Sequence, residues 1–217
     1  MILQLPNVLS QDERLAIGTT LATAEFVDGK LTAGWYAKAV KHNRQLPASA
    51  GKDLRDQVKT VLNRHPLFQA AVRPKQIHSV LLSRYDTGMA YGRHADNALM
   101  GQWRSDVSFT LFLNEPEDYD GGELVIEGAD DEAAYKLPAG QALVYPSSAL
   151  HRVEAVTGGV RLVAVGWVQS WVRDPAQREL LFDLDTVRRS LFAQMGKSNE
   201  FDLLSKSLAN LLRQWAE

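Results

Sequence analysis

The sequence predicts a mainly β protein with flanking helices, an α+β arrangement built around a sandwich or jelly roll. Three observations predict it. Six short β-type runs crowd the middle of the chain, most of them separated by Gly, Pro, Asn or Asp clusters. Helical periodicity precedes these runs and returns after them. The 217 residues are enough for one sizeable core. Residues 1–75 read as an N-terminal helical support region, 76–172 as the jelly-roll core and 173–217 as a helical extension.

Each element has a local reason. Ser10 followed by Glu13 is a capping-box pattern, and a helix runs from there to about Ala24. Residues 25–49 are mixed and yield no assignable element. A second helix spans about Ala50 to Arg64, with Leu54, Val58, Val61 and Leu62 on one face and Pro66 as its stop. The β runs are Gln76–Tyr85, Val107–Leu113, Glu123–Ile126, Gln141–Tyr145, Leu150–Ala155 and Val160–Val168. Asp174-Pro175 then opens a helix carrying Leu180, Leu181, Leu184, Val187 and Leu191, and Gly196 ends it. A last helix, from about Ser198 to Trp215, has Phe201, Leu204, Leu208, Leu211 and Trp215 on one stripe. These two helices form a hairpin that packs on the sheet, and the hairpin is also a candidate homo-oligomer interface.

Composition removes several function classes. Formal net charge is -2, so no global basic field draws the chain to nucleic acid or to acidic membrane. There are no cysteines, which excludes disulfides, thiolate nucleophiles and Cys-based metal sites. The segment MILQLPNVLSQDE lacks a basic n-region and a long apolar run, so it is not read as a signal peptide. With no stretch of about 18 apolar residues, the expectation is a soluble, cytoplasmic protein.

The chemistry gathers around two of the five histidines. His94-Ala95-Asp96 puts an imidazole and a carboxylate at i and i+2, which share a face on extended backbone. His151 lies in a later β run and can supply a third ligand. Two His and one carboxylate on one side of an ion, with positions left open, is the arrangement of non-haem Fe(II) oxygen chemistry. The open positions take a chelating cosubstrate and O2, which a closed four-ligand site could not.

Arg161 strengthens that reading. Val160, Leu162, Val163, Ala164 and Val165 surround it, so an inward guanidinium there needs an anion. That anion is either one of the chain's own carboxylates or a ligand's. Thr157-Gly158-Gly159 reads as a tight hairpin turn that pairs Val156 with Val160 and His151 with Val165. In that register His151 and Arg161 share a face, roughly 13 Å apart at ~3.3 Å per residue. An arginine side chain plus a five-carbon diacid spans such a gap.

These residues resemble a known family. Arg84-Tyr85-Asp86-Thr87-Gly88-Met89-Ala90-Tyr91-Gly92-Arg93-His94-Ala95-Asp96 looks like the approach to the iron site of prolyl 4-hydroxylase-type oxygenases. Leu113-Asn114-Glu115 followed by Gly121-Gly122-Glu123-Leu124 matches their "LN…GGEL" pattern, and His151 with Arg161 matches their closing H-x9-[KR] pair. Over nearly its full length the chain is similar to the bacterial PKHD-type hydroxylases, whose catalytic part is followed by a helical C-terminal extension.

The resemblance implies a double-stranded β-helix and an Fe(II)/2-oxoglutarate-dependent dioxygenase that uses O2 and L-ascorbate and releases succinate and CO2. It implies His94, Asp96 and His151 as iron ligands, Arg161 on the distal carboxylate of 2-oxoglutarate, and Tyr85 hydrogen-bonding the cosubstrate near the metal. The prime substrate is an unidentified peptidyl or small molecule, with a link to iron uptake. Many relatives place a Tyr on the "LN" strand to assist the arginine, where this chain has Phe112; Ser108 and Thr110 share its parity and are the candidates to replace it. Trp167 is core or pocket wall, Tyr91 structural or substrate-facing, and Asn97, Trp103, Arg104 and Asp106 lie on the rim or in a solvated loop. Two other classes stay open: a zinc hydrolase on the same triad, and a non-catalytic jelly-roll module that binds metal or metabolite.

Overall fold

The computed structural model describes residues 1–217, and its elements follow from periodicity and capping. The chain opens with β1 (Leu3–Leu5) and α1 (Gln11–Ala22), whose Ser10 and Glu13 form the reciprocal capping box. Three short strand pieces and two helices come next: β2 (Val27–Asp28), β3 (Lys41–His42), β4 (Arg44–Gln45), α2 (Lys52–Arg64) and α3 (Pro66–Val72), then the long β5 (Pro74–Asp86). Pro66 both stops α2 and starts α3, since its fixed φ suits a first helical position. The site region follows as β6 (Ala90–His94), β7 (Leu99–Met100), β8 (Trp103–Arg104), β9 (Val107–Phe112), β10 (Tyr119–Gly121), β11 (Leu124–Glu127), β12 (Glu132–Tyr135), β13 (Ala142–Pro146), β14 (His151–Val153) and β15 (Val156–Ser170). The helices α4 (Pro175–Met195) and α5 (Asn199–Trp215) end the chain.

Two antiparallel sheets face each other as a jelly roll. The larger has the order β1-β13-β9-β15-β5-β4-β2, with β10 beside β15; the smaller is β12-β11-β14-β6-β3. Strand β9 shows why the core has two halves. Val107, Phe109 and Leu111 join the cluster under α1, α2 and α3, while Phe112 joins the cluster between the sheets with Tyr85, Leu143, Tyr145 and Val163. All six β9 residues are buried, because each face of the strand meets a packed layer. Ser108, Thr110 and Phe112 share the inter-sheet side, as their parity predicts.

The expected hairpin at Thr157-Gly158-Gly159 does not exist. These residues lie inside β15, which pairs with β5 on one side and with β9 and β10 on the other. His151 belongs to β14 in the opposite sheet. Gly159 marks a close backbone approach and not a turn. Gly159 has φ +70°, and a Cβ on it would lie 2.2 Å from the Asp118 carbonyl oxygen. Gly159→Ala is therefore expected to remove about 3 kcal/mol of stability, the upper end for strain at positive φ. Urea unfolding checks this; a loss below about 1 kcal/mol would show that β10 yields freely.

The C-terminal helices pack against each other and α4 against α3. Val172, Leu181 and Leu208 form their small buried core. Arg73 donates to the Leu181 carbonyl at 3.2 Å, Lys75 to the Glu217 carbonyl at 2.8 Å, and Arg104 pairs with the Glu217 carboxylate at 3.0 Å. Arg104 also pairs with Asp106, which accepts from the Ser170 N–H, and neither residue lines the cavity that Asn97 and Met100 border. No helix is long and apolar enough to cross a membrane.

Candidate metal centre and cosubstrate pocket

The ladder between β6 and β14 makes His94 and His151 direct partners. Opposite residues on paired strands put their side chains together on one face, and the two imidazole centres are 4.3 Å apart. Asp96, two residues past His94, comes in from the same side. Its backbone N–H donates to the Ser147 carbonyl at 3.2 Å, which fixes the chain just beyond β6. Each histidine Nε2 is 3.9 Å from an Asp96 carboxylate oxygen, and the three donor atoms lie within 4.8 Å of one another. Two atoms each about 2.1 Å from a common ion are at most about 4.2 Å apart, so the His–Asp spacings suit one ion. The other three histidines, His42, His65 and His78, lie outside this group.

Hydrogen bonds set the tautomers. His94 Nδ1 donates to the Gly92 carbonyl at 2.9 Å and His151 Nδ1 to the Ala149 carbonyl at 3.0 Å. A carbonyl only accepts, so each Nδ1 carries the proton and each Nε2 keeps its lone pair for a metal. Burial, and next the neighbouring His151, pull the His94 pKa down to about 4. At neutral pH His94 is thus a neutral imidazole, and its approach to Asp96 is not an ion pair. Tyr91 stacks on His94 with ring centres 3.7 Å apart, and Tyr145 meets His151 edge-on at 5.1 Å.

Ser108 has a different partner from the one its parity suggests. Its hydroxyl donates to Asp96 Oδ2 at 2.6 Å and shares a hydrogen bond with Ser147 at 2.8 Å. It orients the carboxylate and does not assist Arg161. Ser108→Ala is expected to weaken Mn(II) binding about 10–100-fold, the usual effect of removing a group that holds a ligand. Calorimetric titration reads it, and an unchanged affinity would show that the carboxylate needs no such support.

Arg161 is 1% exposed, yet Nε and Nη1 have no hydrogen-bond partner in the chain. Its guanidinium carbon lies 5.0 Å from the Tyr85 ring centre and 5.7 Å from that of Phe112. Tyr85 is its ladder partner across β5 and β15. The Tyr119 hydroxyl is also buried without a partner. A Cβ on Gly122 would touch both the Arg161 side chain and the Tyr119 ring, so Tyr119 stands beside the arginine. Burial raises the phenols of Tyr85, Tyr119 and Tyr145 above their usual range, so all three remain donors at neutral pH.

One cavity of about 350 Å³ is lined by the triad, Arg161, Tyr85 and Tyr145. His151 and Arg161 reach it from opposite sheets, not from one hairpin face. Trp167 is a wall residue, with its Nε1–H buried and unpartnered. The segment that yielded no element, 25–49, supplies another wall. Residues 41–45 step from β3 in the small sheet to β4 in the large one, and Lys41, Asn43 and Gln45 are buried while His42 and Arg44 are exposed. That alternation is present in the sequence, but a strand with its polar side inward looks like an ordinary polar stretch. Burial lowers the Lys41 pKa to about 8, with Asp96 and then Asp28 holding it up, so the ammonium stays charged at neutral pH.

Comparison with known proteins agrees with this geometry. Residues 80–169 match the 2OG-Fe(II) oxygenase superfamily, and residues 175–217 match the PKHD-type hydroxylase C-terminal domain. A PKHD-type hydroxylase of Picosynechococcus sp. is 65% identical, with both chains covered in full. This chain belongs to the PKHD-type hydroxylases. Another member of the family, from Acaryochloris marina, is 64% identical, again over the whole of both chains. Solved structures share the fold at lower identity. A Pseudomonas putida prolyl-4-hydroxylase has a TM-score of 0.55 at 23% identity, over 78% of this chain and 92% of that one. A Trichoplax adhaerens prolyl hydroxylase has a TM-score of 0.58 at 14% identity, over 82% and 86%. As a PKHD-type hydroxylase the protein is a 2-oxoglutarate-dependent dioxygenase, and the family's chemistry takes Fe(II), 2-oxoglutarate and O2. Family membership sets aside the zinc hydrolase and the non-catalytic module.

Proposed function

We propose that His94, Asp96 and His151 ligate the iron, that Arg161 binds the distal carboxylate of 2-oxoglutarate, and that Tyr85 hydrogen-bonds the cosubstrate near the metal. The observation that carries this reading is the buried Arg161, whose unpaired guanidinium opens onto the same cavity as the triad. A guanidinium left without an acceptor is expensive to bury unless a ligand anion meets it, and a carboxylate matches its forked geometry. When bound together, Fe(II) and 2-oxoglutarate supply the oxygen activation that hydroxylates a C–H bond, with release of succinate and CO2.

The chain's own residues orient and exclude. The two imidazoles present fixed lone pairs, and Asp96, held by Ser108, adds the negative charge that favours a divalent ion. Tyr119 and Tyr85 flank the guanidinium and stand in for the tyrosine that Phe112 replaces. Leu124, Val153 and Val165 line the apolar part of the cavity and keep water from the reacting centre.

The prime substrate in this proposal is a peptidyl group or a small molecule, with a role connected to iron uptake, in the cytoplasm, and with L-ascorbate keeping the metal reduced. Exposed Leu180, Val187, Met195 and Leu203 on the C-terminal helices support a homo-oligomer through that face. The test is succinate formation by iron-loaded protein supplied with 2-oxoglutarate, ascorbate and a small-molecule extract. Succinate should form, stop on chelation and be absent from a His94→Ala variant. Iron-loaded protein that forms no succinate overturns the assignment.

A further inference from the structure

The cavity holds a second buried cation that the proposed cosubstrate site does not use. Lys41 is 5% exposed and lines the cavity together with the triad. Its Nζ donates to Thr32 Oγ1 at 3.1 Å and lies 5.3 Å from the Tyr91 ring centre. No carboxylate comes within ion-pair distance of it. The Thr32 hydroxyl also bonds Gln45 Oε1, and Gln45 Nε2 donates to Ser83 Oγ at 3.3 Å. This polar row anchors one of the three ammonium hydrogens and leaves two unspent.

Charge in the cavity decides what those two face. Lys41 and Arg161 are its only Lys or Arg residues, and Asp96 is its only carboxylate. Under the reading proposed above, on which this inference rests, a divalent iron, the dianionic cosubstrate, Arg161 and Asp96 sum to zero. The Lys41 charge is then left over in a site of low dielectric, where an unpaired ion is costly. Tyr91, between Lys41 and His94, places this cation next to the metal face and not at the outer rim.

We infer that Lys41 binds a carboxylate of the prime substrate, so that the enzyme selects substrates carrying a free acid group close to the carbon that reacts. Thr32 and Gln45 position the ammonium, and the Tyr91 ring separates it from His94. A neutral or cationic substrate would leave the charge unmet.

The test uses the full chain loaded with Ni(II) and a saturating excess of 2-oxoglutarate, so that no turnover occurs. The probes are N-acetylglycine and N-acetylglycinamide, which differ only in acid against amide, and calorimetry reads their binding. Wild type should bind the acid at least about tenfold more tightly, as a charged hydrogen bond predicts. Lys41→Gln should bind both alike while keeping its 2-oxoglutarate affinity, and Lys41→Arg should keep the preference. Equal binding of the two probes by wild type, or a preference that survives in Lys41→Gln, overturns the inference. If Lys41→Gln does not fold, Lys41→Met takes its place under the same criteria. Failure of 2-oxoglutarate itself to bind the nickel-loaded protein would instead overturn the oxygenase assignment beneath it.

Discussion

Arg161→Met is expected to weaken 2-oxoglutarate binding by between about 30-fold and a few thousandfold while leaving the metal-free fold at least as stable. Truncating one partner of a buried charged pair typically loses about 2–5 kcal/mol, which gives that range. The stability half of the expectation has the opposite sign from most core substitutions. Arg161 is 1% exposed, and its Nε and Nη1 have no acceptor in the chain. Exchanging such a charge for an apolar side chain of similar length is often neutral or stabilising. Calorimetry with 2-oxoglutarate and thermal unfolding of the metal-free protein measure the two halves. A variant that melts well below wild type yet binds 2-oxoglutarate normally would show that Arg161 serves packing against Tyr85 and Phe112, and the cosubstrate assignment would fall.

The second large effect is on the metal. Asp96→Asn keeps the shape of the side chain but removes the one negative charge of the triad. Metal affinity should fall at least about 100-fold, more than the loss of a group that merely orients a ligand. Ligand-linked stability makes this visible without activity. At a metal concentration of about 100 times its dissociation constant, wild type gains about 2.7 kcal/mol. A variant binding 100-fold more weakly gains only about 0.4 kcal/mol at the same concentration. For a chain of this size the difference is about 5–10 °C in melting temperature. Mn(II) is a suitable probe because it avoids oxidation. An undiminished Mn(II)-dependent shift in Asp96→Asn would remove Asp96 from the ligand set. The low pKa of His94 adds a sign: no proton competes there for the metal until the pH falls toward about 4, so binding at His94 stays insensitive to pH across the neutral range.

Features that depend on neighbours in the chain were legible beforehand. The capping box at Ser10 and Glu13, the buried face Leu54, Val58, Val61 and Leu62, and the shared side of Ser108, Thr110 and Phe112 all follow from periods of 3.6 and 2. The i, i+2 placement of His94 and Asp96 is a fact of the same kind. Residues 41–45 show the limit: Lys41, Asn43 and Gln45 alternate inward, but nothing local says that the inner side of this strand faces a polar cavity.

Strand partnership lay beyond that reach. His151 could have hairpinned with β15, as the glycines at 158 and 159 suggest, or crossed to the other sheet and paired with β6, as it does. Both choices satisfy the local pattern. Backbone hydrogen bonds between segments more than fifty residues apart, and the space between two packed sheets, selected one of them. The same packing turned Ser108 toward Asp96, set Tyr119 beside Arg161 and left Lys41 without an acid partner. Residue order determined which side chains could bind a metal and a diacid; the closing of the two sheets determined which of them meet, because only that closure removes water and brings distant strands into register.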